Sequence, residues 1–220
     1  MESKNTPSSK VVPIDKNTSG LVSIGGAEVL SSAFKLVKTA YPQNPLDLSM
    51  GFDWRHFVTE LDCSGQGLNQ LDLSPYPNLN ELWCEFNELS TIDLSPTPKL
   101  KVLYCDHNKL VDIDLSCTPN LRWLDCRSNK LSRLDLSHSP ELSELRCDEN
   151  KLTELDVSDT PNIVSLYCSG NRLRKIDLSQ LPKLKVLYCQ GNLITNLDIS
   201  MTPKLKWLHC WGKRREKIAS

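Results

Sequence analysis

The chain has 220 residues, 39% of them hydrophobic, and its 26 Lys and Arg against 27 Asp and Glu leave a formal net charge of -1. That length suits one large domain or two small ones, and the near-neutral balance gives no global attraction to nucleic acid or anionic lipid. No run approaches the roughly 20 apolar residues of a membrane span, and the amino terminus has no apolar centre behind a basic start, so it does not read as a secretory signal. The expected compartment is therefore a reducing cytoplasm, in which the nine cysteines stay thiols.

Residues 1–24, rich in Ser, Thr, Lys, Asn and Pro, read as a flexible leader. Residues 25–57 read as a helical N-terminal cap. Leu30, Phe34, Val37 and Tyr41 fall on one face of a helix from Ala27 to Tyr41, with Gly25 and Gly26 before it and Pro42 after. From 58 to 212 the chain repeats a unit of 21 residues, L-x-x-L-x-C-x-x-N-x-L-x-x-[LI]-D-[LVI]-S-x-x-P-x, through seven full copies and a partial eighth. The last stretch, 213–220, is a short basic tail, and a charged tail discourages strand addition to an open edge.

Within each unit the segment around the cysteine alternates apolar and variable residues, as in Leu82-x-Cys84, and predicts a short strand with one buried side. A unit buries about five aliphatic side chains, worth roughly 2 kcal/mol each, against roughly 1.5 kcal/mol of ordering for every residue. One unit therefore does not fold alone. Stacking covers both of its faces and lets its strand pair with its neighbours in a parallel sheet. A proline in every return segment, Pro77 through Pro203, breaks helical hydrogen bonding there, so extended or 3₁₀ returns and little helix are expected.

The stacking puts like residues in columns. Cys84, Cys105, Cys126, Cys147, Cys168 and Cys189, flanked by Cys63 and Cys210, fall where the unit is narrow and act as small buried hydrophobes. No close pair of the C-x-x-C kind is present, so no metal site is expected among them. Cys117 lies in a return and is the one thiol expected to react. Asn87, Asn108, Asn129, Asn150, Asn171 and Asn192 form a column whose amides satisfy backbone groups at the turn after each strand. Asp72, Asp93, Asp114, Asp135, Asp156, Asp177 and Asp198 form an acidic column, and a serine two residues after each allows an Asx-type turn that offsets the repulsion of stacked carboxylates. Calcium bridging along that column is the alternative.

Stretches such as "LNELWCEFNEL", "LRWLDCRSNKL" and "LSELRCDENKL" match L-x-x-L-x-L-x-x-[NC]-x-L with cysteine at the third leucine. On these residues the chain resembles the leucine-rich repeat family over about 70% of its length, and its short unit resembles the bacterial, internalin-like kind. The resemblance implies an α/β repeat solenoid, a right-handed horseshoe or arc with a parallel β-sheet on its concave side and extended or 3₁₀ segments on its convex side. It identifies an architecture and not a ligand, and injected bacterial proteins of this family often begin with a flexible polar leader like this one.

With core positions fixed by the pattern, the variable residues beside the second leucine face outward. Trp83, Tyr104, Trp123, Asp125, Arg146, Tyr167, Tyr188, Trp207, His209 and Trp211 are the candidate partner-binding residues. Interfaces favour Trp, Tyr and Arg, although aromatic residues also pair across strands to hold a sheet. Lys109, Lys130, Lys151 and Arg172 form a basic row that superficially suits single-stranded nucleic acid, but acidic residues interrupt the face. The expected function is non-enzymatic protein recognition through the concave face, with no cofactor, no metal and no membrane. The alternatives are an effector delivered into a host cell and a self-assembling repeat protein. A monomer is expected, with end-to-end association as the other possibility. The best enzymatic constellation, Cys117 near His138, occupies adjacent returns.

Overall fold

The structure, a computed structural model, describes residues 54–210. A 3₁₀ turn, Trp54–Phe57, leads into eight three-residue strands. They are β1 (Glu60–Asp62), β2 (Glu81–Trp83), β3 (Val102–Tyr104), β4 (Trp123–Asp125), β5 (Glu144–Arg146), β6 (Ser165–Tyr167), β7 (Val186–Tyr188) and β8 (Trp207–His209). They form one parallel sheet in chain order, β1 to β8. Leucine meets leucine across it, Leu61 opposite Leu82, Leu82 opposite Leu103 and so on to Leu187 opposite Leu208. Strands β1 to β7 bury their central leucine, Leu208 of β8 is half-buried, and each strand turns its two flanking residues outward, as alternation requires. The expected parallel-sheet solenoid with little helix is what forms.

The returns are pairs of turns rather than helix. Thr97 N–H donates to Leu94 O at 2.9 Å and Leu100 N–H to Thr97 O at 3.1 Å, and the same pair of bonds recurs in the neighbouring units. Before four of the prolines a threonine closes the first turn a second time, since the Thr97, Thr118, Thr160 and Thr202 hydroxyls donate to the carbonyl three residues back at 2.8 to 3.1 Å. This threonine column is buried and was not read from the repeat pattern, where its position stood as a variable.

The asparagine column carries more than one turn's backbone. Asn129 Nδ2 donates to the carbonyls of Cys105, Cys126 and Arg127, and its Oδ1 accepts from Leu110 N–H at 2.9 Å. The amide therefore joins its own turn to the preceding one, and Asn87, Asn108, Asn150 and Asn171 repeat the pattern. The aspartates do what the Asx-type turn predicts: the carboxylates of Asp72 through Asp198 accept the serine N–H two residues on. Hydrogen bonds from those serines hold Asp93, Asp114, Asp135, Asp156, Asp177 and Asp198 below the usual carboxylate range, against the repulsion of stacked charges.

One expectation changes. Not all nine cysteines are thiols, because Cys189 and Cys210 are joined in a disulfide across the last turn, with Cα atoms 4.5 Å apart. In-register stacking brings neighbouring rungs of the column within disulfide reach. The leader 1–24, the helical cap 25–57 apart from the 3₁₀ turn, residues 211–212 of the partial eighth unit and the tail 213–220 lie outside the described residues. Among the described residues no helix is long and apolar enough to cross a membrane.

The column thiols are desolvated. Burial pushes Cys63 and Cys168 up to about 12 and raises Cys84, Cys105, Cys126 and Cys147 likewise, whereas Cys117 is exposed. Iodoacetamide at neutral pH is expected to alkylate Cys117 alone in the folded protein, read by peptide mass spectrometry. Labelling of two or more column thiols at a similar rate would contradict the buried ladder. Replacing Asn129 by Leu is expected to lower unfolding free energy by about 3 kcal/mol, since it strands several buried backbone groups, and Asn192→Leu at the half-buried last turn by clearly less. Denaturant melts of the two variants check the gradient.

Candidate binding face

The outward residue after each central leucine reads Asp62, Trp83, Tyr104, Asp125, Arg146, Tyr167, Tyr188 and His209, one per strand. In register, the rings stack into a stripe. Trp83 and Tyr104 lie with centroids 6.3 Å apart and planes at 11°, Tyr167 and Tyr188 at 5.1 Å and 22°, and His209 lies 5.4 Å beyond Tyr188. Asp125 interrupts the column, and Trp123 of the same strand closes the gap. Its ring is 5.8 Å from Tyr104 on one side and 5.2 Å from the Arg146 guanidinium carbon on the other. Arg146 also lies 5.0 Å from the Tyr167 ring. A continuous run of π and cation–π contacts thus crosses β2 to β8.

Of the predicted residues, Trp83, Tyr104, Trp123, Arg146, Tyr167, Tyr188 and His209 are brought together in that stripe. Trp207 shares the face at the β8 end and is 66% exposed. Trp211 lies outside the described residues. Asp125 is on the same face but is fully buried, so it supports its neighbours rather than presenting itself. Its Oδ1 accepts from Arg127 N–H at 3.3 Å, and its Oδ2 stands 3.0 Å from Arg127 Nη2, an ion pair without hydrogen-bond alignment. Arg146 is oriented by Glu144, which accepts from its Nε at 2.7 Å.

The electrostatics of the middle of the face are costly to the fold. Burial first, and Asp106 second, push the Asp125 carboxyl up to about 6 against the opposing pull of Arg127 and Arg146. Burial likewise raises Asp148, despite hydrogen bonds from Ser169. Trp123 Nε1 is buried there without a hydrogen-bond partner.

Two residues of the face were missed. Phe86 and His107 stack at 4.4 Å, Phe86 is 59% exposed, and both have left-handed backbone, at φ 55° and 51°. Asp106, itself buried, holds the His107 ring, with Oδ2 2.7 Å from Nδ1. The signal was present, because the same column carries Gly65, Gly170 and Gly191, all at positive φ, and a column that keeps returning to glycine marks a left-handed position.

The opposite side of the solenoid holds a shallow groove of about 760 Å³, lined in part by Asp114, Asp135, Asp156 and Asp177. These carboxylates are already engaged by their serines. Among the described residues no group of three His, Cys, Asp or Glu is placed to hold a metal ion. In the returns, His138 Nδ1 meets Ser137 Oγ at 3.0 Å, and Cys117 Sγ lies 3.8 Å from Ser116 Oγ.

A family model for leucine-rich repeats, in two copies, matches residues 161–201. Among solved structures the chain is similar to the functional domain of InlJ from Listeria monocytogenes, which includes a cysteine ladder, with 34% identity and a TM-score of 0.64 over 70% of this chain and 40% of that one. It is similar to a leucine-rich repeat protein of Leptospira interrogans, at 29% identity and TM-score 0.64 over 70% and 42% of the two chains. YopM of Yersinia pestis, a leucine-rich effector protein, matches at 28% identity and TM-score 0.55 over 60% and 37%. The chain therefore spans less than half the length of each. No curated protein matches it.

Asp125 gives a test of the face's electrostatics. Its folded pKa is raised above the unfolded value near 3.8, so the folded state binds the proton more tightly and loses stability as pH rises from about 4 through 6. Asp125→Asn is expected to stabilise the protein at pH 7, on the order of 2 kcal/mol, with the gain vanishing below pH ~4. Thermal melts of both proteins across that range check it, and a variant destabilised at pH 7 would show that the Arg127 pair outweighs the burial.

Proposed function

Because the chain is a leucine-rich repeat protein of the short, bacterial, internalin-like type, we propose that it is a non-enzymatic recognition module that binds a protein partner through the concave, outward face of its sheet. The observation that carries this reading is the continuous stripe from Trp83 to His209, which spans seven of the eight strands. Large rigid rings provide contact area with little side-chain entropy to lose, and such residues dominate binding energy at interfaces. Cross-strand pairing explains some of the stacking but not the composition. Aromatic pairs contribute roughly 0.2 to 1 kcal/mol each, and the leucine, cysteine and asparagine columns already hold the sheet. Fixed in a row before any partner arrives, the rings need little rearrangement on binding.

The non-catalytic part of the reading is supported by the fate of the thiols and imidazoles. The column cysteines are buried with raised pKa values, and His138 and His107 are turned to Ser137 and Asp106 rather than to a thiol. Delivery into a host cell, where the protein would act by binding a host protein, is a second reading, favoured by the likeness to an effector. A monomer acting in a cytoplasm fits the first reading, and both use the same face.

The test is affinity capture from a candidate cell extract, with the wild type beside a variant carrying Tyr104→Ala, Tyr167→Ala, Tyr188→Ala and Trp207→Ala. The variant is expected to melt within a few degrees of the wild type, because no core column is touched, and to lose a partner that the wild type retains. Equal capture by both would move the binding site to the returns or the ends.

A further inference from the structure

The middle and one end of the outer face are built from the same parts, with one part missing at the end. At β4 to β6 a guanidinium, that of Arg146, rests against two aromatic rings and is neutralised by Glu144. At β1 to β3 the rings are present as Trp83 and Tyr104, and the carboxylates as Glu60, Glu81 and Glu85. The outward positions of those three strands are Glu60, Asp62, Glu81, Trp83, Val102 and Tyr104, with no cation among them. Glu60 stands directly opposite Glu81 in the parallel register, an arrangement that destabilises a sheet when nothing neutralises it. Asp62 is held locally by Ser64, and Asp106 by His107. Among the described residues no lysine or arginine forms an ion pair with Glu60, Glu81 or Glu85, and Glu85 Oε2 is buried with no hydrogen-bond partner.

Building on the recognition reading above, we infer that this end of the face binds an arginine or lysine side chain presented by the protein partner, its charge set against the Trp83 and Tyr104 rings and neutralised by Glu60, Glu81 and Glu85. The molecule shows on its own Arg146 that adjacent rungs of this sheet accept a cation between rings and carboxylate. Burial and the facing Glu60 raise Glu81 against the pull of Lys101, and burial followed by Asp106 raises Glu85 against a backbone hydrogen bond, as expected of carboxylates that no cation contacts directly. Phe86, next to Glu85 in the chain, is exposed and stacks on His107. A bulky residue in left-handed backbone costs roughly 1 kcal/mol where glycine costs nothing, and other repeats use glycine there. The fold does not require the ring, whereas a bound side chain gains an apolar wall from it.

A short glycine–serine peptide carrying two arginines, and its glutamine counterpart, are titrated into the full chain by calorimetry. The arginine peptide is expected to bind the wild type, to weaken as salt rises, and to bind the Glu60→Gln, Glu81→Gln, Glu85→Gln variant at least about tenfold less tightly, while the glutamine peptide binds neither. Removing like charges should leave the variant melting no lower than the wild type, so loss of folding does not confuse the result. Control replacements on other surfaces, Glu141→Gln and Glu154→Gln, are expected to change nothing. Equal affinity for wild type and triple variant, or equal loss with the controls, overturns the inference. So does a salt-sensitive dimer that the triple variant abolishes, since the occupant is then a second copy of this chain. If the triple variant captures a cellular partner as well as wild type does while the four-alanine variant does not, recognition by the face stands and the cationic contact falls.

Discussion

One side-chain amide per turn holds this protein in register. An asparagine after each of β2 to β7 has two donors and an acceptor where three pieces of backbone converge, and it meets all of them, including a carbonyl and an N–H of the preceding turn. No apolar residue does this, because the backbone groups at the bend are buried and would go unsatisfied. No charged residue does it either, since an aspartate has no donor for the cysteine carbonyls and a lysine no acceptor for the leucine N–H. The strands are only three residues long and would be marginal alone. The amide column converts them into a sheet whose spacing is the same from β1 to β8.

Because register and core are secured by the leucine, cysteine, asparagine and threonine columns, the outer face is relieved of structural duty. That freedom is visible in how poorly the face is optimised for stability. It keeps a fully buried carboxylate at Asp125, an indole N–H without a partner at Trp123, glutamates facing each other at Glu60 and Glu81, and a phenylalanine in left-handed backbone at Phe86. Each works against folding, and all sit on the same side of the sheet or at its rim. Local inconsistency of this kind, concentrated on one surface of an otherwise regular molecule, marks a surface shaped by something other than the fold.

The columns were legible because a period repeated without slippage constrains every position at once. Leu103, Cys105 and Asn108 had to be inward or at the bend whatever their neighbours were, and the serine after each aspartate named its hydrogen bond. What escaped reading depended on contacts between unlike positions. The position before each proline, threonine in four units, looks variable in the pattern because Tyr76, Ser139 and Leu181 share its column. Asp125 lies buried between Tyr104 and Arg146 in the register and is paired with Arg127, a surrounding that no single column records. The disulfide between Cys189 and Cys210 was invisible because a repeated cysteine spacing looks the same whether two rungs are joined or merely stacked. The Phe86–His107 pair lies in the turns outside the strand pattern, although the glycines of its column indicate the backbone it adopts.

Every pairing of the sheet sets a residue beside one 21 positions along the chain, as Glu60 beside Glu81 and Val186 beside Trp207. Under tension applied to its two ends, the solenoid has no distant staple among the described residues to share the load. Turns would peel away one after another, each releasing about 70 Å of slack at roughly 3.4 Å per residue. The covalent rung between Cys189 and Cys210 withholds the slack of the last turn for as long as it stays oxidised. A solenoid of this construction yields as a graded spring rather than by a single rupture, and a partner gripping several rungs at once would stiffen the stretch it spans.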